Sequence, residues 1–320
     1  MKSRLEYLDM ARGLAMLAIV LGHIYTTNFI RVWICSFHVA LFFIITGCLI
    51  KYKDDERKIS EIVKSRIKNI LVPYILFGVV YIAIEYVLND FDILLLQQNT
   101  RDMLMLKGVG ALWYLPTFFI AEILFLTIKK LVKKDIFIVL ISIIIFVFGY
   151  IVPQFYFNQF ILMGIRILAG VMFISIGYYM FDFINNIDIS VFLVIAILGL
   201  NIILSNINGM VDLYCIDFKN IFLYLINAIL GSIGILYLCK EIKSNKILLW
   251  IGVNSLTIMC THQNLIHIFR KINNNDLNTY ILGLALLIAI LIIEKPITYI
   301  VNNYLPFMLG RVRKKRTITD

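Results

Sequence analysis

Between Leu8 and Ile50, four ionisable side chains stand in two apolar runs, each long enough to span a bilayer: Asp9, Arg12, His23 and His38. Charges and imidazoles are costly among lipid tails, so such residues face a protein interior or a wet cavity and mark function by default. Arg12 and His23 are eleven positions apart, which on a helix is three turns plus roughly 20°. They share one face, separated by about 16 Å along the axis. Arg12 lies inside the apolar run and is therefore more than a topology signal. Asp9 can complement the helix N-terminus and pair with Arg12 at i, i+3. An imidazole has an ordinary pKa of about 6.5, so modest shifts leave it useful as an acid or base near neutrality. His38 stands about five residues into the second run, at a depth close to that of His23 on the antiparallel neighbour. A cavity shared by the two rings is expected.

The elements that must position these residues follow from composition. The chain has 320 residues, 61% hydrophobic and 16% charged, with a mean hydropathy of +0.89. That excludes an ordinary soluble domain and describes an all-α, polytopic integral membrane protein. Apolar runs of spanning length predict ten transmembrane helices near 10–30, 33–50, 70–88, 111–128, 136–152, 161–182, 189–205, 219–239, 247–268 and 279–300. The first is not expected to be a cleavable signal, since it lacks a small-x-small site and carries Arg12 and His23. One membrane-embedded domain over 1–320 is expected, with the longest loops at 51–69 and 89–110.

Alternate loops differ sharply in charge. The N-terminal tail, the 51–69 loop, Lys129–Lys134, Lys240–Lys246 and the tail from Gly310 hold 21 of the 30 Lys and Arg residues, and the other set holds six. The positive-inside rule then places both termini in the cytoplasm. The net charge of +10 is mostly this asymmetry, with some attraction to anionic lipid headgroups, so no nucleic-acid partner is expected. Cys35, Cys48, Cys215, Cys239 and Cys260 show no ligand spacing. Neither a disulfide framework nor a metal site is expected.

Further polar residues sit at lipid depth. Glu122 is deeply placed and needs a partner, whereas Glu85 is close enough to the outer end to be wet. Arg166, about five residues from the outer face, has a bland reading, snorkelling to headgroups, and a sharper one, contact with a polar group such as a carboxylate. Trp113 opens its helix at the outer face, where interfacial aromatics belong, and its face could stack on a sugar ring. His262 is another buried imidazole. Asn254 and Ser255 suit interhelical hydrogen bonding, and His267 lies at the outer boundary.

These motifs resemble the family 3 membrane acyltransferases. The family opens with Asp, two residues, Arg-Gly, then about ten apolar residues closing on His. Here these are Asp9, Arg12-Gly13 and Gly22-His23. A Phe-His, Phe-Phe, Ser/Thr-Gly pattern follows, present as Phe37-His38, Phe42-Phe43 and Thr46-Gly47. An Arg-x-x-Arg before Pro-Tyr is matched at Arg66 and Pro73-Tyr74, but Asn69 holds the second Arg position, with Lys68 beside it. Gly252-Val253-Asn254-Ser255-Leu256 followed by His262, and the close from Glu294 to Gly310, also match. The resemblance covers nearly the whole chain.

The resemblance implies an O-acyltransferase of the bacterial cytoplasmic membrane. It would move an acetyl group from acetyl-CoA to a hydroxyl of a cell-envelope or exopolysaccharide sugar. It implies that Arg12 helps hold the donor, with Asp9 beside it, and that His23 is the general base. Arg66 and Lys68 would meet the donor's phosphates. His38, Trp113, Arg166 and His262 are the acceptor-side candidates. A transient acyl-His is an alternative to direct transfer. The rival class is a transporter or flippase, with the same charges lining a path. Paired Gly/Pro interruptions in two halves would mark it, and none is visible.

Overall fold

The computed structural model describes residues 5–26, 28–53, 57–132, 135–151, 159–272 and 279–311. Lys2, Arg4, Lys133, Lys134 and the basic residues beyond Arg311, all part of the charge count, lie outside them. Among the described residues the chain is helical throughout, with no strand and one isolated bridge between Asp212 and Asp217.

α1 (Glu6–Ile24) is followed by a short α2 (Phe29–Cys35), capped by the Asn28 side chain accepting from the Arg31 amide at 2.9 Å. α3 (His38–Lys53) continues from α2 after Ser36 and Phe37. The expected 51–69 loop is largely helical: α4 (Ile59–Arg66) runs through a π turn at Ile67–Leu71 into α5 (Val72–Leu88). The widening falls where a regular helix would drive the Pro73 ring into the Asn69 carbonyl. The expected 89–110 loop likewise contains a helix, α6 (Ile93–Leu104), capped by Asp92.

A 3-10 turn at Gly110–Trp113 leads into α7 (Tyr114–Leu131). Then come α8 (Asp135–Ile151), α9 (Gln159–Asn186), α10 (Val191–Asn208) and α11 (Ile221–Glu241). α12 (Lys246–Val253) and α13 (Ser255–Ile272) are separated at Asn254, and α14 (Tyr280–Asn303) precedes a closing 3-10 turn at Pro306–Leu309.

Among the described residues, eight helical segments are long and apolar enough to cross a membrane. This is a multi-pass membrane protein. Of the ten expected segments, two fall outside that set. α8 is shorter, with an apolar stretch at Phe137–Phe148. α12–α13 is interrupted at Asn254 and carries Thr257, Thr261, His262, Gln263 and Asn264, which lower its hydropathy.

Small residues set the tightest crossings. α3 packs along α9 more extensively than any other described pair. A Cβ added at Gly47 would overlap the Ile174 carbonyl oxygen, and one at Gly177 would overlap that of Ile44. The two backbones thus touch at reciprocal glycines, the usual device where apolar lipid offers no hydrophobic drive for helix association. α1 and α12 repeat it: Gly13 abuts the Leu248 carbonyl and Gly252 that of Asp9. Of the most apolar stretch, 72% is buried in α9 against 22% in α10 and 28% in α14. α9 is therefore central, while α10 and α14 turn Phe192, Ile195, Ile281 and Ile292 outward.

Candidate active site

A cavity of about 440 Å³ lies between α1, α3, the α4–α5 junction, α7, α12–α13 and the C-terminal turn. Its wall carries the cationic side chains of Arg12, Lys53, Arg66, Lys129 and Arg311, together with Asn69 and Ser255. Arg311 arrives because Gly310, at φ +65°, has no Cβ to collide with the Lys68 carbonyl. The C-terminal turn can therefore tuck under the π turn. Glu122 is the one carboxylate of this wall among the described residues. It is fully buried and accepts from Arg66 Nη2 at 2.6 Å, supplying the partner that its depth requires. Arg66 Nε and Glu122 Oε2 are buried with no hydrogen-bond partner in the structure.

Removing one member of such a pair leaves the other charge stranded, typically at about 3–5 kcal/mol. Arg66→Ala is therefore expected to lower the melting temperature in detergent sharply. The apolar double replacement Arg66→Met with Glu122→Leu should restore it. A single variant as stable as wild type would show that the pair contributes nothing to folding.

A second cavity, of about 260 Å³, is lined by His23, His38, Trp113, Arg31, Asp212 and Gln263 among others. His38 Nδ1 lies 2.8 Å from the Ile34 carbonyl. A carbonyl can only accept, so Nδ1 carries a proton, and in the neutral ring Nε2 keeps its lone pair. His262 is held the same way by the Ile258 carbonyl at 2.8 Å, and its Nε2 is buried without a partner. The His23 and His262 rings are 5.2 Å apart between centroids. Arg270 Nη2 donates to the carbonyls of His23 (2.9 Å) and Ile24 (3.0 Å), capping the end of α1 that carries His23.

The loop over this cavity is braced by side chains. Asp212 accepts from the amides of Tyr214 (2.7 Å) and Cys215 (3.2 Å). Asn208 bridges to the Phe218 carbonyl (3.1 Å) and the Asn220 amide (3.0 Å). Gln263 accepts from the Ala111 amide, fixing the 3-10 turn against α13.

The two cavities share three wall residues: Phe42, Tyr114 and Met259. Positions three or four apart on each helix run from one cavity to the other. On α3 they are His38, Phe42, Thr46, Leu49 and Lys53; on α7, Tyr114, Phe118, Glu122, Leu126 and Lys129; on α12–α13, Gly252, Leu256, Met259 and Gln263. Arg12 and His23 lie one in each cavity, on the shared face of α1.

The structure thus gathers Arg12 with Arg66, and His23 with His38 and Trp113. The other candidates stand apart from both walls. Asp9 is buried, 3.7 Å from Arg12. Lys68 is exposed and absent from the basic wall, where Asn69 takes part instead. Arg166 is buried: Nε donates to the Tyr214 carbonyl at 2.7 Å, and its guanidinium lies over the Tyr214 and Trp113 rings at 4.0 and 5.5 Å. His262 sits behind His23. Glu85, expected to be wet, is buried and meets His267 Nδ1 at 2.6 Å. Lys53, Lys129, Arg311, Arg31, Asp212, Gln263 and Tyr114 carry no sequence signal beyond topology charge or interfacial position. Among the described residues no group of His, Cys, Asp and Glu side chains is placed to hold a metal ion.

A family model described as an acyltransferase domain matches residues 5–294. The chain belongs to acyltransferase family 3. No curated protein and no solved structure matches it. The matched span takes in α1 to most of α14, and so every helix that lines either cavity. As a member of family 3, this chain is a membrane acyltransferase whose polar residues cluster in two cavities with a common wall. Of the basic wall, only Leu309 and Arg311 come from beyond the matched span.

Proposed function

We propose that this acyltransferase moves an acetyl group from cytoplasmic acetyl-CoA to a hydroxyl of a cell-envelope or exopolysaccharide sugar at the bacterial inner membrane. The observation that carries the reading is the pairing of a cation-lined cavity with a histidine-lined one across a wall three side chains wide. The polyanionic nucleotide end of the donor suits Arg12, Lys53, Arg66, Lys129 and Arg311. The positive-inside bias puts that cavity on the cytoplasmic side, with both termini. The flexible pantetheine arm is long enough for the rise of about 16 Å from Arg12 to His23. The whole donor then need not cross.

In the histidine cavity, His23 takes the proton of the acceptor hydroxyl as its oxygen bonds to the thioester carbonyl carbon. The C–S bond breaks, and the proton passes to the departing thiolate. His38, with Nε2 free to accept, orients the hydroxyl, and Trp113 supplies a face for the sugar ring. Transfer through an acyl-His gives the same products in two steps.

The test is transfer of labelled acetyl from acetyl-CoA to mixed envelope glycans by purified protein in detergent. Label on a glycan supports the reading. No label movement together with no donor binding by calorimetry would sink it in favour of a transport path. Each of Lys53→Ala, Lys129→Ala and Arg311→Ala is expected to raise the donor Kd by about fivefold or less, as partly solvated charges do. Added salt should weaken the wild type in the same direction. A donor Kd indifferent to all three changes and to salt would place the nucleotide elsewhere.

A further inference from the structure

Tyr114 opens α7 at the level where the two cavities meet, and it lines both. Its ring is fixed on several sides: Phe43 at 5.1 Å, Phe118 at 5.4 Å, Phe42 and Trp113 each at 6.1 Å between centroids. The residue is 8% exposed, and its hydroxyl is buried with no hydrogen-bond partner in the structure. Packing alone would be served as well by phenylalanine. A buried hydroxyl without a partner detracts from folding, since it gives up water and gains nothing. Phe42 and Met259, which complete the wall, present no hydrogen-bond donor. Tyr114 is therefore the one side chain of the shared wall able to donate to a group passing between the cavities.

We propose that the Tyr114 hydroxyl is a catalytic hydrogen-bond donor to the thioester carbonyl oxygen, holding the acyl group at the wall and stabilising the oxyanion as the acceptor attacks. The inference rests on the acyl-transfer reading given above. Tyr114 keeps its own proton throughout. The new C–O bond forms, the C–S bond breaks, and the hydroxyl proton moves by way of the histidine to the thiolate. A donor aimed at developing charge in a water-poor site acts mainly on the transition state, so its loss lowers kcat far more than it raises KM.

The experiment compares wild type and Tyr114→Phe with two donors: acetyl-CoA, and its dithioester analogue bearing C=S in place of C=O, whose sulfur is a poor hydrogen-bond acceptor. With acetyl-CoA, kcat of Tyr114→Phe is expected to fall about 10²–10³-fold. The donor KM should stay within threefold, and the melting temperature should be unchanged or higher. Wild type should strongly prefer the oxygen donor, and Tyr114→Phe should lose most of that preference. The preference is a ratio within each protein, so partial misfolding of the variant does not move it. A variant that transfers within threefold of wild type, or that keeps the wild-type oxygen preference, overturns the proposal and leaves the acyl-transfer reading intact. A wild type that transfers from neither donor overturns both.

Discussion

His23→Ala is expected to reduce acyl transfer by about 10²–10⁴-fold, the range over which a positioned proton acceptor acts, while the protein stays at its normal level in the membrane. The second half of that expectation comes from the geometry. The His23 ring faces a cavity and packs on His262, whereas its backbone, not its ring, holds the end of α1 through Arg270. Truncating the ring enlarges a space already present and spares that cap. Transfer assayed beside an immunoblot of the membrane fraction separates loss of chemistry from loss of protein. A His23→Ala protein that remained fully active would move the base elsewhere. His38 would then be the candidate, because its Nδ1 hydrogen bond to Ile34 leaves Nε2 free to accept a proton.

Gly47→Leu is expected to abolish assembly of the α3–α9 core. Most oversized core substitutions are absorbed by rotamer changes at about 1–3 kcal/mol. Here the obstacle is the Ile174 carbonyl and the Tyr178 amide, backbone atoms that no rotamer can move. Separating the helices would also open the reciprocal contact at Gly177 and the Cys48 Sγ donation to the Gly177 carbonyl at 3.3 Å. The expected destabilisation lies at or above the upper end of that range. It would be read as loss of the monodisperse peak in detergent size exclusion. Gly164→Ala is the matched control, being on the same α9 with nothing within 4 Å of an added Cβ. Removing a helix glycine there should be neutral or stabilising by about 0.5–1 kcal/mol. Equal behaviour of the two variants would show that the close crossing does not govern folding.

Arg12 and His23 illustrate what is legible in the chain. Periodicity alone places Arg12 and His23 on one face of α1, because both lie in a single unbroken helix and the angle per residue is fixed. The apolar runs locate the helices because lipid demands length and hydropathy. The same rule hides α4 and α6 inside what reads as loop, since short amphipathic helices carry no spanning run. It also reads 33–50 as one segment, although α2 and α3 part at Ser36 and Phe37.

The basic cavity is harder to read for a physical reason. Positive-inside bias gives every cation of the basic loops the same local signature, so Lys53, Lys129 and Arg311 look like topology charge. Only the close approach of Gly310 to Lys68 brings Arg311 to the cavity. Arg66 and Glu122 are 56 residues apart and on different helices, so neither predicts the other locally. Tyr114 reads as an interfacial aromatic, and nothing short of three dimensions reveals that its hydroxyl is buried without a partner.

The reciprocal fit of Gly13 to Leu248 and of Gly252 to Asp9 also orders events during synthesis. α1 is made before the other described helices and carries Asp9, Arg12 and His23 into the bilayer, yet the helix that closes against its glycine face is made about 240 residues later. At ordinary elongation rates that interval is roughly 10–50 s. Of the helices that α1 contacts in the finished fold, α2, α3 and α11 are made before α12, and α13 and α14 after it. The Arg311 flank of the basic cavity comes still later. A nascent or truncated chain therefore embeds in the membrane well before its basic cavity is complete.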